Sequence, residues 1–128
     1  MKPQAIEIPV SVFKRGVIVF FGSPEDLIEY LDQRHPVYAN ELKAVWEKFI
    51  NCLHSASALT IKLSADPIIY ANELIPEEEL IHELGHAAKH ILSLVKVDDE
   101  EAECYTLEYL YEQVMPWFRN LNKKKKSK

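Results

Sequence analysis

The sequence lacks any apolar run long enough to cross a membrane, so we expect no membrane-spanning helix. It also lacks an excess of basic residues: 15 Lys and Arg against 20 Asp and Glu leave a net charge of −5, which argues against a general nucleic-acid binder. Cysteine is scarce, and Cys52 and Cys104 have neither metal-site spacing nor the density of a disulfide-rich secreted chain. We therefore expect two reduced, semi-buried thiols. Residues 1–4 lead into a strand pattern without a signal-peptide core, so we expect a cytoplasmic protein.

The composition that is present indicates one globular domain. Hydrophobic residues make up 48% of the 128 positions, enough for a modest core. We find no internal repeat and no linker. We expect the domain to span residues 1–122 and a disordered lysine-rich tail to span residues 123–128.

Four segments predict β-strands. Residues 5–10 alternate apolar and polar side chains, which is typical of a half-buried strand. Residues 17–21 are continuously apolar, as expected of a central strand covered on both faces, and the two segments predict a hairpin. Residues 58–63 alternate again, and residues 68–70 predict a short partner strand.

Four further segments have the apolar spacing of helices: 24–34, 40–53, 76–95 and 100–114. Asn40 is expected to cap the second helix, and His54, just past its end, to be structural. The last helix is expected to stop near Met115–Pro116, because proline disrupts a helix interior. The pattern predicts an α+β fold: a small, mostly antiparallel sheet with helices packed on one side, and a site between the last two helices.

The stretch Leu80–His86 contains the pattern His-Glu-x-x-His. Residues four apart lie on one face of a helix, so His82 and His86 can both direct an imidazole at one metal ion. Glu83 lies beside them, where it can reach a water bound to that metal. A zinc ion that keeps one position open for water needs a third protein ligand. The motif therefore predicts zinc as the cofactor and Glu83 as the catalytic residue.

The helix that carries this motif is amphipathic. Its apolar residues form one broad arc: Leu80, Leu84, Ala87, Ala88, Ile91, Leu92 and Val95. His82 and His86 lie on the opposite, polar face. Gly85 costs about 1 kcal/mol of helix stability relative to alanine, so we expect another backbone to approach closely there. The alternative is that the two histidines are ordinary surface residues, since a short motif also occurs by chance.

The segment is similar to the active-site helix of zincin metallopeptidases. Metzincins continue with a glycine and a third histidine, but this sequence has Lys89 and Leu92 at those positions. Gluzincins instead take a glutamate from a following helix, and Glu101-Ala102 with Tyr105 resembles the third-ligand helix of ImmA/IrrE-type peptidases and of small phage-type proteins with the same motif. The resemblance covers mainly residues 76–115 and implies a gluzincin-type peptidase.

Four glutamates and a histidine are candidates for the third zinc ligand: Glu100, Glu101, Glu103, Glu108 and His90. His90 lies about 12 Å along the helix axis from His82, too far for one metal. Glu101 and Glu108 share a helix face, and a tight antiparallel hairpin would bring Glu108 nearer to His86. The resemblance implies Glu101. We predict Glu101 as the ligand, with Glu108 as the second candidate.

By resemblance, the substrate is a peptide or protein, and Glu83 takes a proton from the attacking water and returns it to the leaving amine. Tyr105 could donate to the developing oxyanion, but we expect it to be packed. Residues 58–63 are either the edge along which an extended peptide binds, as in zincins, or an ordinary solvent-facing edge strand. A non-catalytic, zinc-braced protein-binding module and a metal-dependent hydrolase of a non-peptide amide stay open. Glu83 favours catalysis, because a structural metal site needs no base.

Overall fold

The structure, a computed structural model, describes residues 2–53, 56–63 and 66–126. The elements of these residues are β1 (Gln4–Val10), β2 (Arg15–Phe21), α1 (Pro24–Arg34), α2 (Pro36–Ala44), α3 (Trp46–Leu53), β3 (Ala58–Ile61), β4 (Ile68–Ala71), α4 (Glu77–Leu94) and α5 (Glu100–Lys126). A short 3-10 turn, Ser11–Phe13, joins β1 to β2. One sheet packed with helices confirms the predicted α+β class. His54, interpreted above as structural, lies outside the described residues.

The strands of the described chain form one sheet in the order β1-β2-β4-β3. β1 and β2 form the predicted antiparallel hairpin, and Lys14 takes the left-handed backbone conformation, φ 54°, at its turn. β2 runs parallel to β4, and β4 runs antiparallel to β3. The sheet is therefore mostly antiparallel, as predicted. β3 is one of its two edge strands, and α4 packs against it.

The helices cover both faces of the sheet. α4 and α5 pack on one face, where Val17, Val19 and Phe21 of β2 are buried. α1, α2 and α3 pack on the other face, against Ile18 and Phe20. The helices thus do not all lie on one side, which corrects the sequence expectation. The cause is that β2 is apolar on both faces, and each apolar face has to be covered.

The segment expected to form one helix from Asn40 forms two helices. α2 begins at Pro36, whose fixed φ suits the first helical turn, and Asn40 lies inside this helix rather than at its cap. The chain leaves helical geometry at Val45, with φ −116°, and α3 begins at the next residue. The apolar residues of segment 40–53 follow helical spacing and form a stripe, and two of them, Leu42 and Phe49, are buried. The stripe therefore keeps its role across the break.

α5 is longer than predicted. We expected an end near Met115–Pro116, but the helix continues through Pro116 to Lys126. Its buried stripe runs at helical spacing on both sides of the proline: Leu110, Val114, Phe118 and Leu121. Burial of this stripe offsets the free-energy cost of the backbone hydrogen bond that the exposed Pro116 cannot donate. Residues 123–126, expected to be a disordered tail, belong to α5, and residues 127–128 lie outside the described residues.

Two sequence expectations concern the surface of the protein. Among the described residues, none of the helices combines the length and the apolar character needed to cross a membrane. We expected both cysteines to be semi-buried, but Cys52 and Cys104 are exposed. Each lies on a helix, α3 or α5, outside the set of residues that form the core.

Candidate metal centre

α4 places the His-Glu-x-x-His motif on the outside of the domain. Residues 77–79 are glutamates in the first turn of the helix, where carboxylates interact favourably with the helix dipole. The buried side is the predicted arc without Val95: Leu80, Leu84, Ala87, Ala88, Ile91 and Leu92. These residues pack α4 against the sheet and α5, so His82 and His86 are held on the exposed face.

The imidazoles of His82 and His86 converge. Their Nε2 atoms lie 3.1 Å apart, and the ring centroids are separated by 4.6 Å with the ring planes at 88°. Two nitrogens that bind one tetrahedral zinc at about 2.0 Å lie about 3.3 Å from each other. The observed separation therefore fits a pair of ligands to one zinc. As a hydrogen-bonded pair, one Nε2 would carry the proton and donate it to the other; as zinc ligands, both would present a lone pair.

Gly85 lies between the two histidines on α4. We expected a close approach of another backbone at this glycine. A Cβ built there would meet no atom within 4 Å beyond its own stretch of helix and its chain neighbours, among the residues that the structure describes. The expectation is therefore wrong: Gly85 is half-buried at the edge of the packed side of α4, and no other described backbone comes close to it. The glycine leaves open space next to the histidine pair.

Glu83 lies half-buried beside β3. Thr60 donates a hydrogen bond from Oγ1 to Glu83 Oε1 at 2.6 Å, and the same hydroxyl lies 3.2 Å from the Glu83 carbonyl oxygen. The carboxylate thus lies between the motif helix and the edge strand of the sheet. A carboxylate that lines the same cleft as His82 can serve as a proton acceptor there.

A cleft of about 380 Å³ opens beside the motif. It is lined by the segment leading into β3 and by one side of α4: Ala56, Ser57, Ala58, Glu78, Glu79, His82 and Glu83. Ser57 Oγ donates to Glu79 Oε2 at 2.5 Å across it. Its three carboxylates favour polar or cationic groups over anions.

The structure does not bring the predicted third ligand to the histidine pair. Glu101 is exposed in the first turn of α5, and its backbone N–H donates to Asp99 Oδ1 at 3.0 Å. Glu108 is exposed two turns further along α5. Over residues 2–53, 56–63 and 66–126, no three His, Cys, Asp or Glu side chains are grouped closely enough to hold a metal ion. His82 and His86 are thus together, and the assignment of Glu101 stays a prediction.

Tyr105 is not packed as we expected. Its side chain is 66% exposed, because it points away from the buried stripe of α5. It lies with the exposed Val12 along an apolar groove of about 430 Å³ between the hairpin turn and α5. One turn further along, the Tyr109 hydroxyl donates to the Pro9 carbonyl at 2.7 Å and anchors α5 to β1. An oxyanion role for Tyr105 stays a prediction.

The sequence interpretation missed Thr60 as the neighbour of Glu83. The alternation over residues 58–63 correctly separates Thr60 from Leu59 and Ile61, which pack with the α1–α3 side of the core. That pattern identifies the face of the strand but not the helix residue opposite to it. The available signal was that Thr60 is a hydroxyl residue on the face of β3 that is not occupied by Leu59 and Ile61.

Comparison with family models, with curated proteins and with solved structures finds no match to this chain. Three features of the site bear on function: the convergence of His82 and His86, the hydrogen-bonded carboxylate of Glu83, and the cleft next to β3.

Proposed function

We propose that this protein is a zinc-dependent peptidase of the gluzincin type that hydrolyses peptide bonds in a peptide or protein substrate. The observation that carries the proposal is the 3.1 Å approach of the His82 and His86 Nε2 atoms, with Glu83 next to them in the helix. Two exposed imidazoles gain little from each other, because water can satisfy both. A metal ion bound by both Nε2 atoms would account for their convergence.

We propose His82, His86 and Glu101 as the zinc ligands, with Glu108 as the alternative third ligand. α5 follows α4 in the chain and packs on its buried side, so Glu101 as a ligand has to reach around to the exposed face of α4 that carries the histidines. The side chain of Glu101 is exposed, and it can therefore change rotamer without unpacking the core. A carboxylate oxygen is a normal zinc ligand beside two histidines.

Zinc, when bound, supplies a Lewis acid that lowers the pKa of water and polarises the carbonyl of the scissile bond. Glu83 accepts one proton from the attacking water as the new carbon–oxygen bond forms. It then delivers this proton to the amine nitrogen as the carbon–nitrogen bond breaks. Glu83 suits this role because it follows His82 in the helix, lines the same cleft and is not required as a ligand.

The outer side of β3 supports an extended peptide as the substrate. β3 is an edge strand, and the cleft at its start reaches His82 and Glu83. A peptide added alongside β3 would gain backbone hydrogen bonds and pass the carboxylate. The competing interpretation is an edge strand that faces only solvent. We propose neither a nucleic acid nor a membrane as a partner, because the net charge of the chain is −5. We propose the cytoplasm as the compartment.

Two other functions use the same residues. In a non-catalytic binding module, zinc would only brace α4 and α5, which pack on each other. In the other, the enzyme would hydrolyse a non-peptide amide. Both differ from the proposal in what the zinc-loaded protein does to peptides.

The test exposes zinc-loaded protein to a broad peptide library and to a panel of small N-acyl amides, with products read by mass spectrometry. We expect peptide cleavage that stops on chelation and returns when zinc is added back. Cleavage of the small amides without cleavage of peptides would show that the substrate is a non-peptide amide and not a peptide. Retention of zinc without any cleavage would contradict the enzyme and favour the binding module.

A further inference from the structure

Thr60 lies on the face of β3 that is turned towards α4. Its neighbours Leu59 and Ile61 point the other way and pack with the α1–α3 side of the core. The Thr60 side chain is half-buried at the contact with Glu83. Because threonine is branched at Cβ, its χ1 angle is restricted and its hydroxyl keeps a defined direction.

The Thr60 hydroxyl contacts Glu83 at two atoms. Oγ1 lies 2.6 Å from Oε1 and 3.2 Å from the backbone carbonyl oxygen. A hydroxyl carries one proton, and the shorter distance is typical of an O–H group that donates to a carboxylate. We therefore assign the proton to the bond with Oε1. Oε1 then accepts the hydrogen bond from Thr60, and Oε2 is left available to accept a proton from water.

We propose that Thr60 is a positioning residue that anchors Glu83 Oε1 at the β3 side of the cleft and presents Oε2 for proton transfer. This inference rests on the proposed function, because it assigns a partner to the proposed general base. A glutamate side chain has several rotatable bonds and loses considerable rotamer freedom when it is ordered. An anchored carboxylate is already in place when water and peptide enter the cleft.

A second hydrogen bond shows that Thr60 is not the sole connection between this part of the chain and α4. Ser57 Oγ donates to Glu79 Oε2 at 2.5 Å, one helical turn before Glu83. The attachment of the β3 segment to the helix therefore does not depend on Thr60 alone. Thr60 differs from Ser57 because its acceptor is the carboxylate that the proposed reaction uses.

The test compares two substitutions of Thr60. Thr60→Val keeps the shape of the side chain and removes the hydroxyl, whereas Thr60→Ser keeps the hydroxyl. Thr106→Val is the matched control, because the Thr106 hydroxyl donates to the Ala102 carbonyl of its own helix at 2.7 Å. Zinc content, the thermal midpoint, kcat and KM are measured for the wild type and the three variants. Crystal structures of the metal-free wild type and both Thr60 variants give a readout independent of activity.

We expect Thr60→Val to bind zinc like the wild type and to lose about tenfold in kcat, with KM changed by less than about twofold. Thr60→Ser should recover most of kcat, and Thr106→Val should keep it. In the crystals, the Glu83 carboxylate should leave β3 in Thr60→Val and stay in Thr60→Ser.

Two results would overturn the positioning role while leaving the hydrolysis intact: an unchanged kcat in Thr60→Val, or an equal loss in both Thr60 variants. A Glu83 carboxylate that keeps its position in crystals of Thr60→Val would overturn it as well. A wild-type protein that loads zinc and cleaves no substrate overturns the proposed function itself, and the role of Thr60 with it. These failures are distinguishable because the wild type is assayed first.

Discussion

The Nε2 atoms of His82 and His86 lie 3.1 Å apart on the exposed face of α4. Their spacing of four residues places both rings on one side of the helix, and burial of the opposite side keeps them there. The distance is close to the value of about 3.3 Å expected for two nitrogens on one tetrahedral zinc.

We predict close to one zinc ion per chain after gentle purification. Removal of a directly bound imidazole should weaken zinc binding more than about 100-fold, because even supporting residues of metal sites contribute about 10- to 100-fold. Zinc content and affinity of the wild type, His86→Ala and the double alanine variant at positions 82 and 86 measure this. Stoichiometric zinc in the double variant would rule out the pair as ligands.

The third ligand is tested by removing one carboxylate at a time. We predict that Glu101→Gln weakens zinc binding strongly and that Glu108→Gln does so less, because Glu101 is the proposed anionic ligand. Glu100→Gln is the matched control: Glu100 is exposed in the same first turn of α5, but it is turned about 100° away from the helix face that Glu101 and Glu108 share. Titration with a competing chelator measures the three affinities. If Glu101→Gln binds zinc as tightly as the wild type, Glu101 is not the third ligand. If only Glu108→Gln loses zinc affinity, Glu108 is the third ligand instead.

Gly85→Ala is predicted to stabilise the protein. A Cβ at this position meets open space among the described atoms, and alanine in a helix interior is favoured over glycine by about 1 kcal/mol. Urea unfolding of the metal-free proteins measures the change without the contribution of bound zinc. A lower unfolding midpoint in the alanine variant would show that the space at Gly85 is needed by the fold.

A carboxylate remote from the motif should make stability depend on pH. Burial raises the pKa of Glu7, but hydrogen bonds with Tyr30 and His35 and the charges of His35 and Arg34 outweigh it, so the pKa lies below its ordinary value of 4.5. The ionised form is therefore favoured by folding. Its contribution is present above pH 4.5 and is lost as the pH falls through the lowered pKa.

Glu7→Gln removes this contribution. We predict that the wild type unfolds at higher urea concentration than the variant near neutral pH, and that the difference narrows below pH 4.5. Urea unfolding at a series of pH values between neutrality and the acid range measures it. A difference that stays constant over this range would contradict the coupling of Glu7 to Tyr30 and His35.

Local patterns predicted much of the fold because burial follows them directly. The uninterrupted apolar run of β2 is buried as expected, and so is the arc of α4 apart from Val95. Pro116 misled the interpretation of α5, because a rule about one residue was applied without the buried stripe that continues past it. Asn40 misled that of α2 for a similar reason: the proline four residues earlier already starts the helix.

The candidate site was predictable only where it lies within one helix. His82, Glu83 and His86 share α4, so their arrangement follows from helical geometry. Thr60 and Glu101 belong to other elements, and their relation to the motif depends on how β3 and α5 pack on α4. That packing is determined by the whole core. The sequence pattern near either residue does not contain it.

Glu83→Gln tests the central claim most directly. Glutamine has nearly the size of glutamate but does not act as a proton acceptor at neutral pH, so the substitution removes the proposed base and leaves the histidines intact. Zinc content and kcat/KM for peptide cleavage are measured on the same preparations of wild type and variant. We predict equal zinc in both and a loss of about 100-fold or more in kcat/KM for the variant. Wild-type cleavage by Glu83→Gln, with zinc bound in both proteins, would contradict the proposed mechanism.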